Sequence, residues 1–273
     1  MSSEAPIFLN LSMNATREIK ISEIRNVFDM DFSSANGLSF FDPYLEYWVK
    51  ETLEIAGEVH ISRTSAGDTS GIFLYDGYEK DGSIFTRSRD VFDYFYKLRP
   101  FKSIYAELPT EHPKETYDIY TTDLENNSLD HTFSHAITIA DKDQIDEIRQ
   151  FMLSTDPRIN PKWVEVALNN EDKCVTVRLG DEIAGVGWLS FVNGIGRLHS
   201  LFVKTRFRKM GVGLDILFAR LLWLKSKGAR LAFSEISANN LQSSKTSVKG
   251  GMKPSGQVYQ YFRTQPPNAP ARR

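Results

Sequence analysis

The residues best suited to chemistry lie at 201–213, LFVKTRFRKMGVG. An apolar run, Leu201-Phe202-Val203, enters a basic turn ending Arg208-Lys209-Met210-Gly211-Val212-Gly213, and a strongly helical segment follows at once. A strand, a basic turn and a helix start suit an anion. The first N–H groups of a helix lack intrahelical acceptors, and its dipole is positive at that end. Successive backbone N–H groups from Phe207 onward form a nest for phosphate. Glycine at 211 and 213 lets the chain approach a phosphate with no Cβ in the way. The plainer alternative is that both glycines only let a helix pack close to a sheet.

Several elements must hold this turn. The helix after it spans 211–227, with Leu214, Leu217, Phe218, Leu221, Leu222 and Leu224 as core and Gly228 as its stop. Periodicity and turn residues predict strands at 133–139, 173–179, 183–192, 197–203, 230–236 and 257–262. Helices are expected at 141–153, 162–168 and 241–249. Earlier in the chain the same order recurs. A strand at 18–21 precedes helices at 22–32 (capped by Ser22) and 43–56. Strands at 58–63, 71–75 and 83–86 lead to a helix at 89–98 capped by Ser88, then to strands at 103–108 and 117–122. The polar run 124–130, LENNSLD, is the expected domain boundary.

Apolar residues make up 41% and charged residues 25% of the 273 residues, enough for the cores of two ordinary domains. No apolar run approaches the roughly 20 residues of a membrane span, and MSSEAPIFLN lacks the pattern of a secretory signal. The expected compartment is the cytoplasm, with no membrane partner. The single cysteine, Cys174, excludes an intrachain disulfide. His131 and His135 show no metal spacing with Cys or carboxylates, and no metal is expected. Residues 1–130 carry 12 Lys and Arg against 23 Asp and Glu, whereas 131–273 carry 21 against 12. The basic residues are spread out, without an aromatic platform or recognition helix, so no nucleic-acid partner is expected.

The segment from Leu198 to Arg220 resembles the acyl-CoA-binding motif of the GCN5-related N-acetyltransferases (GNAT). That motif is an apolar strand followed by Arg/Gln-x-x-Gly-x-Gly/Ala at the start of a long helix. Here it reads Arg208-Lys209-Met210-Gly211-Val212-Gly213. Downstream the family shows Asn, a small residue three later, Tyr seven later and Gly-Phe at eleven and twelve. This chain has Asn240, Ser243, Ser247, Gly251 and Met252, then an aromatic strand with Tyr259 and Tyr261.

The resemblance implies an α+β fold: two GNAT-like folds in tandem, each a mixed, mostly antiparallel sheet flanked by helices and splayed at its fourth and fifth strands. The expected organisation is a flexible 1–16, a degenerate domain at 17–130, the acyl-CoA-binding domain at 131–264 and a disordered tail at 265–273. The connection Thr86-Arg87-Ser88-Arg89-Asp90 has no glycine, so the first domain lacks the acyl-CoA loop. The implied cosubstrate is acetyl-CoA. Its pantetheine arm would lie along the edge of 201–203 like an added strand, the Val203 N–H would polarise the thioester carbonyl, and Asn240 would bridge strand and pantetheine or merely cap its helix.

The implied activity is an N-acyltransferase acting on a primary amine, small molecule or peptide, by direct attack. His199 stands where the family places a Glu base, and an imidazole is a sensible base at neutral pH; the alternative is a satisfied strand histidine. Glu235, the only acidic residue after Asp215, is a second candidate base or a site for a cationic amine. Ser247 falls at the acid position usually held by Tyr, and a serine hydroxyl is a poor proton donor. Either Tyr259 or Tyr261 replaces it, or water does, or the chain is a non-catalytic CoA-binding or interaction protein.

Overall fold

The structure, a computed structural model, describes residues 20–35, 38, 42–78, 80–108, 115–157, 159–169 and 171–262. In chain order its elements are β1 (Lys20–Ile24), α1 (Asp42–Glu54), β2 (Glu58–Arg63), β3 (Thr69–Asp76), β4 (Asp81–Thr86), α2 (Arg89–Leu98), β5 (Ser103–Ala106) and β6 (Glu115–Asp123). There follow β7 (Ile137–Ile139), α3 (Ile145–Thr155), α4 (Trp163–Asn169), β8 (Lys173–Leu179), β9 (Glu182–Val192), β10 (Ile195–Val203), α5 (Val212–Ser226), β11 (Leu231–Ser237), α6 (Leu241–Lys249) and β12 (Lys253–Phe262).

The chain forms two compact units, one of residues 1–115 with 258–273 and one of 116–257. In the first, the strand order is β1-β2-β3-β4-β5-β12, antiparallel except for the parallel pair β4/β5. In the second it is β7-β8-β9-β10-β11-β6, antiparallel except for β10/β11. Each unit is thus a mixed, mostly antiparallel sheet with flanking helices, the fold class expected from sequence. The divisions fall at 115/116 and 257/258, not at the polar run 124–130. Strand β6 pairs with β11 from Tyr117 to Asp123, so 124–130 is a turn inside the second unit. There Asp123 Oδ1 accepts the N–H groups of Glu125 and Asn126. The expected flexible 1–16 and disordered 265–273 lie outside the described residues.

One helix expectation fails. Residues 22–32 hold no α-helix. Ser22 and its neighbours pair with β2, Ser22 opposite Ile61, and only 3-10 turns follow at Val27–Asp29 and Phe32–Ala35. Asn26, not Ser22, supplies the cap, accepting from the Phe28 N–H. Strand pairing outweighs a weak local helix preference there.

In the second unit, β9 shows how the core is divided. Its sequence EIAGVGWLSFV alternates faces, so Leu189 joins the cluster of Val175, Leu198, Ile216, Leu217 and Leu221 around α5. Trp188 joins that of Met152, Val164, Cys174 and Val186 around α3 and α4. Helix α5 lies close on β9 because Gly185 and Gly187 offer no side chain. A Cβ at Gly185 would stand 2.9 Å from Val212 Cγ1, and one at Gly187 would overlap Ile216. That contact seats the start of α5 beside the end of β10.

Candidate active site

Strands β10 and β11 pair over Ile195–Arg197 against Leu231–Phe233, and β10 then runs on to Val203. Its register with β9 shifts between His199 and Phe202, and Ser200 has φ +49. This is a bulge: one residue in the left-handed region bends the strand and breaks the ladder. The buried guanidinium of Arg220 compensates from α5. Its Nη1 donates to the carbonyls of Trp188 at 3.0 Å and His199 at 3.2 Å. Burial lowers the Arg220 pKa to about 9, which leaves it a cation at neutral pH.

After Val203 a 3-10 turn (Thr205–Phe207) leads to Lys209 at φ +67 and Gly211 at φ +89. Gly211 occupies the N-cap of α5, and its carbonyl accepts from Leu214 and Asp215. A positive φ explains glycine at 211. Nothing comparable demands it at 213, where a Cβ would meet only Val203 Cγ2 at an ordinary 3.7 Å. The glycines that let α5 pack close on the sheet are Gly185, Gly187 and Gly196 on the strands, so helix-to-sheet packing does not account for Gly213. The loop cations differ in availability. Arg206 is paired with Glu182, which also takes Lys204 at 3.2 Å. Arg208 Nε donates to the Val203 carbonyl at 3.2 Å, while Lys209 and Met210 are exposed. Leu201 and Val203 pack towards the α5 cluster, and Phe202 towards the α3/α4 cluster.

Asp215, in the first turn of α5, is a feature the sequence reading missed. Its buried carboxylate accepts from His131 Nε2 (2.6 Å), His135 Nδ1 (2.7 Å) and the N–H groups of Ser134 and His135 (both 3.0 Å). His131 also stacks on Phe218 with centroids 4.2 Å apart. Burial pushes the carboxyl up, but these hydrogen bonds outweigh it and hold Asp215 below the usual carboxylate range. The segment 131–135 is thereby pinned beside the loop, and a Cβ on Gly211 would stand 3.8 Å from His135 Cε1. A separation of 80 to 84 residues with no regular spacing left no sequence signal.

His199 lies opposite Trp188 on β9, with 10% of its side chain exposed. Trp163 from α4 meets its ring edge-on at 5.7 Å. Nε2 is 3.5 Å from Asp172 Oδ2, and Nδ1 is 3.4 Å from Ser200 Oγ at the bulge. Burial holds the imidazole well below its ordinary 6.5. Arg197 and Arg220 push the same way and Glu235 opposes. His199 is therefore neutral at physiological pH.

The other sequence-predicted residues are placed as follows. Glu235 is held by Arg197, whose Nε and Nη2 donate at 3.1 and 3.3 Å, so its carboxylate is engaged in an ion pair. Asn240 caps α6 by accepting from the Ser243 N–H at 3.1 Å. Ser247 is buried on α6 at 6% exposure. Tyr259 packs in the first unit, against the cluster of Phe101 and Ile104, and the side chain of Tyr261 lies outside the described residues. Cys174 is fully buried and burial pushes its thiol up, as for a packing residue. Among the described residues no group of three or more His, Cys, Asp or Glu is placed to hold a metal ion. No described helix is long and apolar enough to cross a membrane.

The comparisons agree with this geometry. The model of the acetyltransferase (GNAT) family matches residues 115–246, starting at β6 and so coinciding closely with the second unit. No curated protein matches the chain. Its fold is similar to the GCN5-related N-acetyltransferase of Sphaerobacter thermophilus (10% identity, TM-score 0.57, 75% of this chain and 80% of that one). It is also similar to a GNAT-family acetyltransferase of Colwellia psychrerythraea (12%, 0.59, 89% and 100%). A tandem GNAT protein from the clavulanic acid biosynthesis pathway matches likewise (12%, 0.60, 90% and 98%). At these identities the likeness is one of fold. Residues 115–246 thus form a domain of the acetyltransferase (GNAT) family.

Proposed function

We propose that the chain is an acyl-CoA-dependent N-acyltransferase that moves an acetyl group from acetyl-CoA to a primary amine of a small molecule or peptide. One observation carries the reading. The β10 bulge runs into a glycine-bearing loop at the N-terminus of α5, where Gly213 serves no packing need of the fold. A missing side chain that the fold does not require fits a loop whose backbone must approach phosphate. In this reading Lys209 adds the mobile positive charge, and the N–H groups from Met210 to Gly213 face the pyrophosphate.

Acetyl-CoA supplies an activated thioester. The residues of the chain do the rest. The free edge of β10 at Leu201 to Val203 holds the pantetheine, and the Val203 N–H stabilises the oxyanion. Neutral His199 takes the proton of the amine as its nitrogen bonds to the acyl carbon. Breaking the C–S bond leaves the amide and a CoA thiolate, which receives that proton. Glu235, held by Arg197, serves as the carboxylate of that pair and not as the base. Asn240 and Ser243 border the cofactor from α6. The first unit, with no glycine between β4 and α2, holds no cosubstrate of its own, and the enzyme works in the cytoplasm without a metal, membrane or nucleic acid.

A second reading, a non-catalytic CoA-binding protein, draws support from Ser247, buried where the family carries its acid, and from Tyr259 packing in the first unit's core. Thiol release from acetyl-CoA in the presence of a panel of amines separates the two. Amine-dependent release supports transfer, whereas tight CoA binding with no release on any amine supports the second.

A further inference from the structure

Asp172 lies between α4 and β8, and its N–H donates to the Ala167 carbonyl of α4 at 2.9 Å. Cys174 pairs with Trp188, and Trp188 with His199. Cross-strand neighbours share a face, so Cys174 lies on the same side of the sheet as the imidazole, and Asp172 stands two residues before it, just ahead of β8. The carboxyl group is 1% exposed, and its Oδ2 is 3.5 Å from His199 Nε2. That nitrogen is buried and has no hydrogen-bond partner among the described residues, a costly state for a polar atom shut away from water. Trp163 closes the ring on one side, and the Arg220 bond to the His199 carbonyl fixes the backbone beneath it. The other ring nitrogen, Nδ1, faces Ser200 at the bulge.

We propose that Asp172 is a positioning residue that holds the proton of His199 on Nε2 and so leaves the Nδ1 lone pair directed at the bulge. The inference rests on His199 being the base of the acyl transfer. A histidine's tautomer is set by the bond its other nitrogen makes, and a buried carboxylate is the strongest acceptor available here. Catalytic hydrogen bonds that are long in the free protein tighten when substrate binds, so the 3.5 Å gap is one that a small ring shift closes. With Nε2 carrying its proton, Nδ1 takes the amine proton as the N–C bond forms. The proton passes to the CoA thiolate after the C–S bond breaks, and His199 returns to the Nε2–H form. Asp172 neither gives nor takes a proton in this cycle and touches neither substrate.

Long-range proton–nitrogen correlation spectra of the protein labelled with nitrogen-15 histidine test this without a substrate. The expected result is Nε2–H His199 in the wild type, and loss of that tautomer's dominance in the isosteric Asp172→Asn, whose amide offers a donor as well as an acceptor. Where an amine from the panel is turned over, the variant should lose about a hundredfold in kcat with KM for acetyl-CoA unchanged. A double variant with His199→Ala should be no slower than His199→Ala alone. An Nδ1–H tautomer in the wild type, or an unchanged tautomer in Asp172→Asn, overturns the proposal. Nε2–H with no amine turned over leaves the dyad standing and instead counts against acyl transfer.

Discussion

Arg220 Nη1 donates at 3.2 Å to the carbonyl of His199, so helix α5 holds the strand residue at which β10 leaves register with β9. The same nitrogen reaches the Trp188 carbonyl, and these acceptors retain the buried cation. In Arg220→Met both carbonyls lose a charged donor. The expected loss is about 2–3 kcal/mol in urea unfolding, with a smaller loss in Arg220→Lys. An unchanged midpoint in Arg220→Met contradicts the role.

The Asp215 carboxylate sets a pH dependence of known sign. Its folded pKa lies below the unfolded 3.8, so its contribution is complete above that value and lost as pH falls through the lower folded one. Asp215→Asn should be less stable than wild type at neutral pH, with the difference narrowing below about pH 4. A constant difference down to the acid transition would show that the charge of Asp215 is immaterial.

For His199 the folded pKa is below 6.5, so the imidazole is neutral above 6.5. A base role then places the acid limb of kcat/KM below that value, since protonation removes the lone pair. The same burial of a neutral ring costs stability as pH drops through that range. His199→Ala should lose about a hundredfold in turnover. Unchanged turnover between about pH 6 and 9 removes histidine as the base.

Close approach of α5 to β9 yields a packing test. A methyl group at Gly187 overlaps Ile216, so Gly187→Ala should cost about 1–3 kcal/mol. Adding Ile216→Leu, which removes the overlapping Cγ2 at nearly constant volume, should recover part of it. No cost in the single variant would mean that helix and strand separate freely.

Much of the second unit was legible in the sequence because its signals are local. The leucines of α5 repeat at helical spacing, β8 alternates cleanly, and the turn before α5 carries its own glycines. What stayed hidden depends on partners distant in sequence. Ser22 joins a strand because β2 is there to pair with it. His131 and His135 acquire a role only when Asp215, some 80 residues on, meets them. Asp172 reads as an ordinary turn residue until the sheet brings it to His199. Glu235 was legible as a carboxylate near the site, but its Arg197 partner comes from the adjacent strand. The assignment of β6 to the second unit rests on its ladder with β11, which no local pattern records.

The most direct test of the account is calorimetric titration of acetyl-CoA into wild type and Gly213→Ala. In a helix, alanine in place of glycine stabilises by about 0.5–1 kcal/mol, and the site has room for the methyl. The variant should therefore melt no lower than wild type. Wild type should bind one acetyl-CoA per chain and Gly213→Ala should bind at least about tenfold more weakly, roughly 1.4 kcal/mol. No binding by wild type, or equal affinity in the variant, would contradict the claim that this loop holds the cosubstrate.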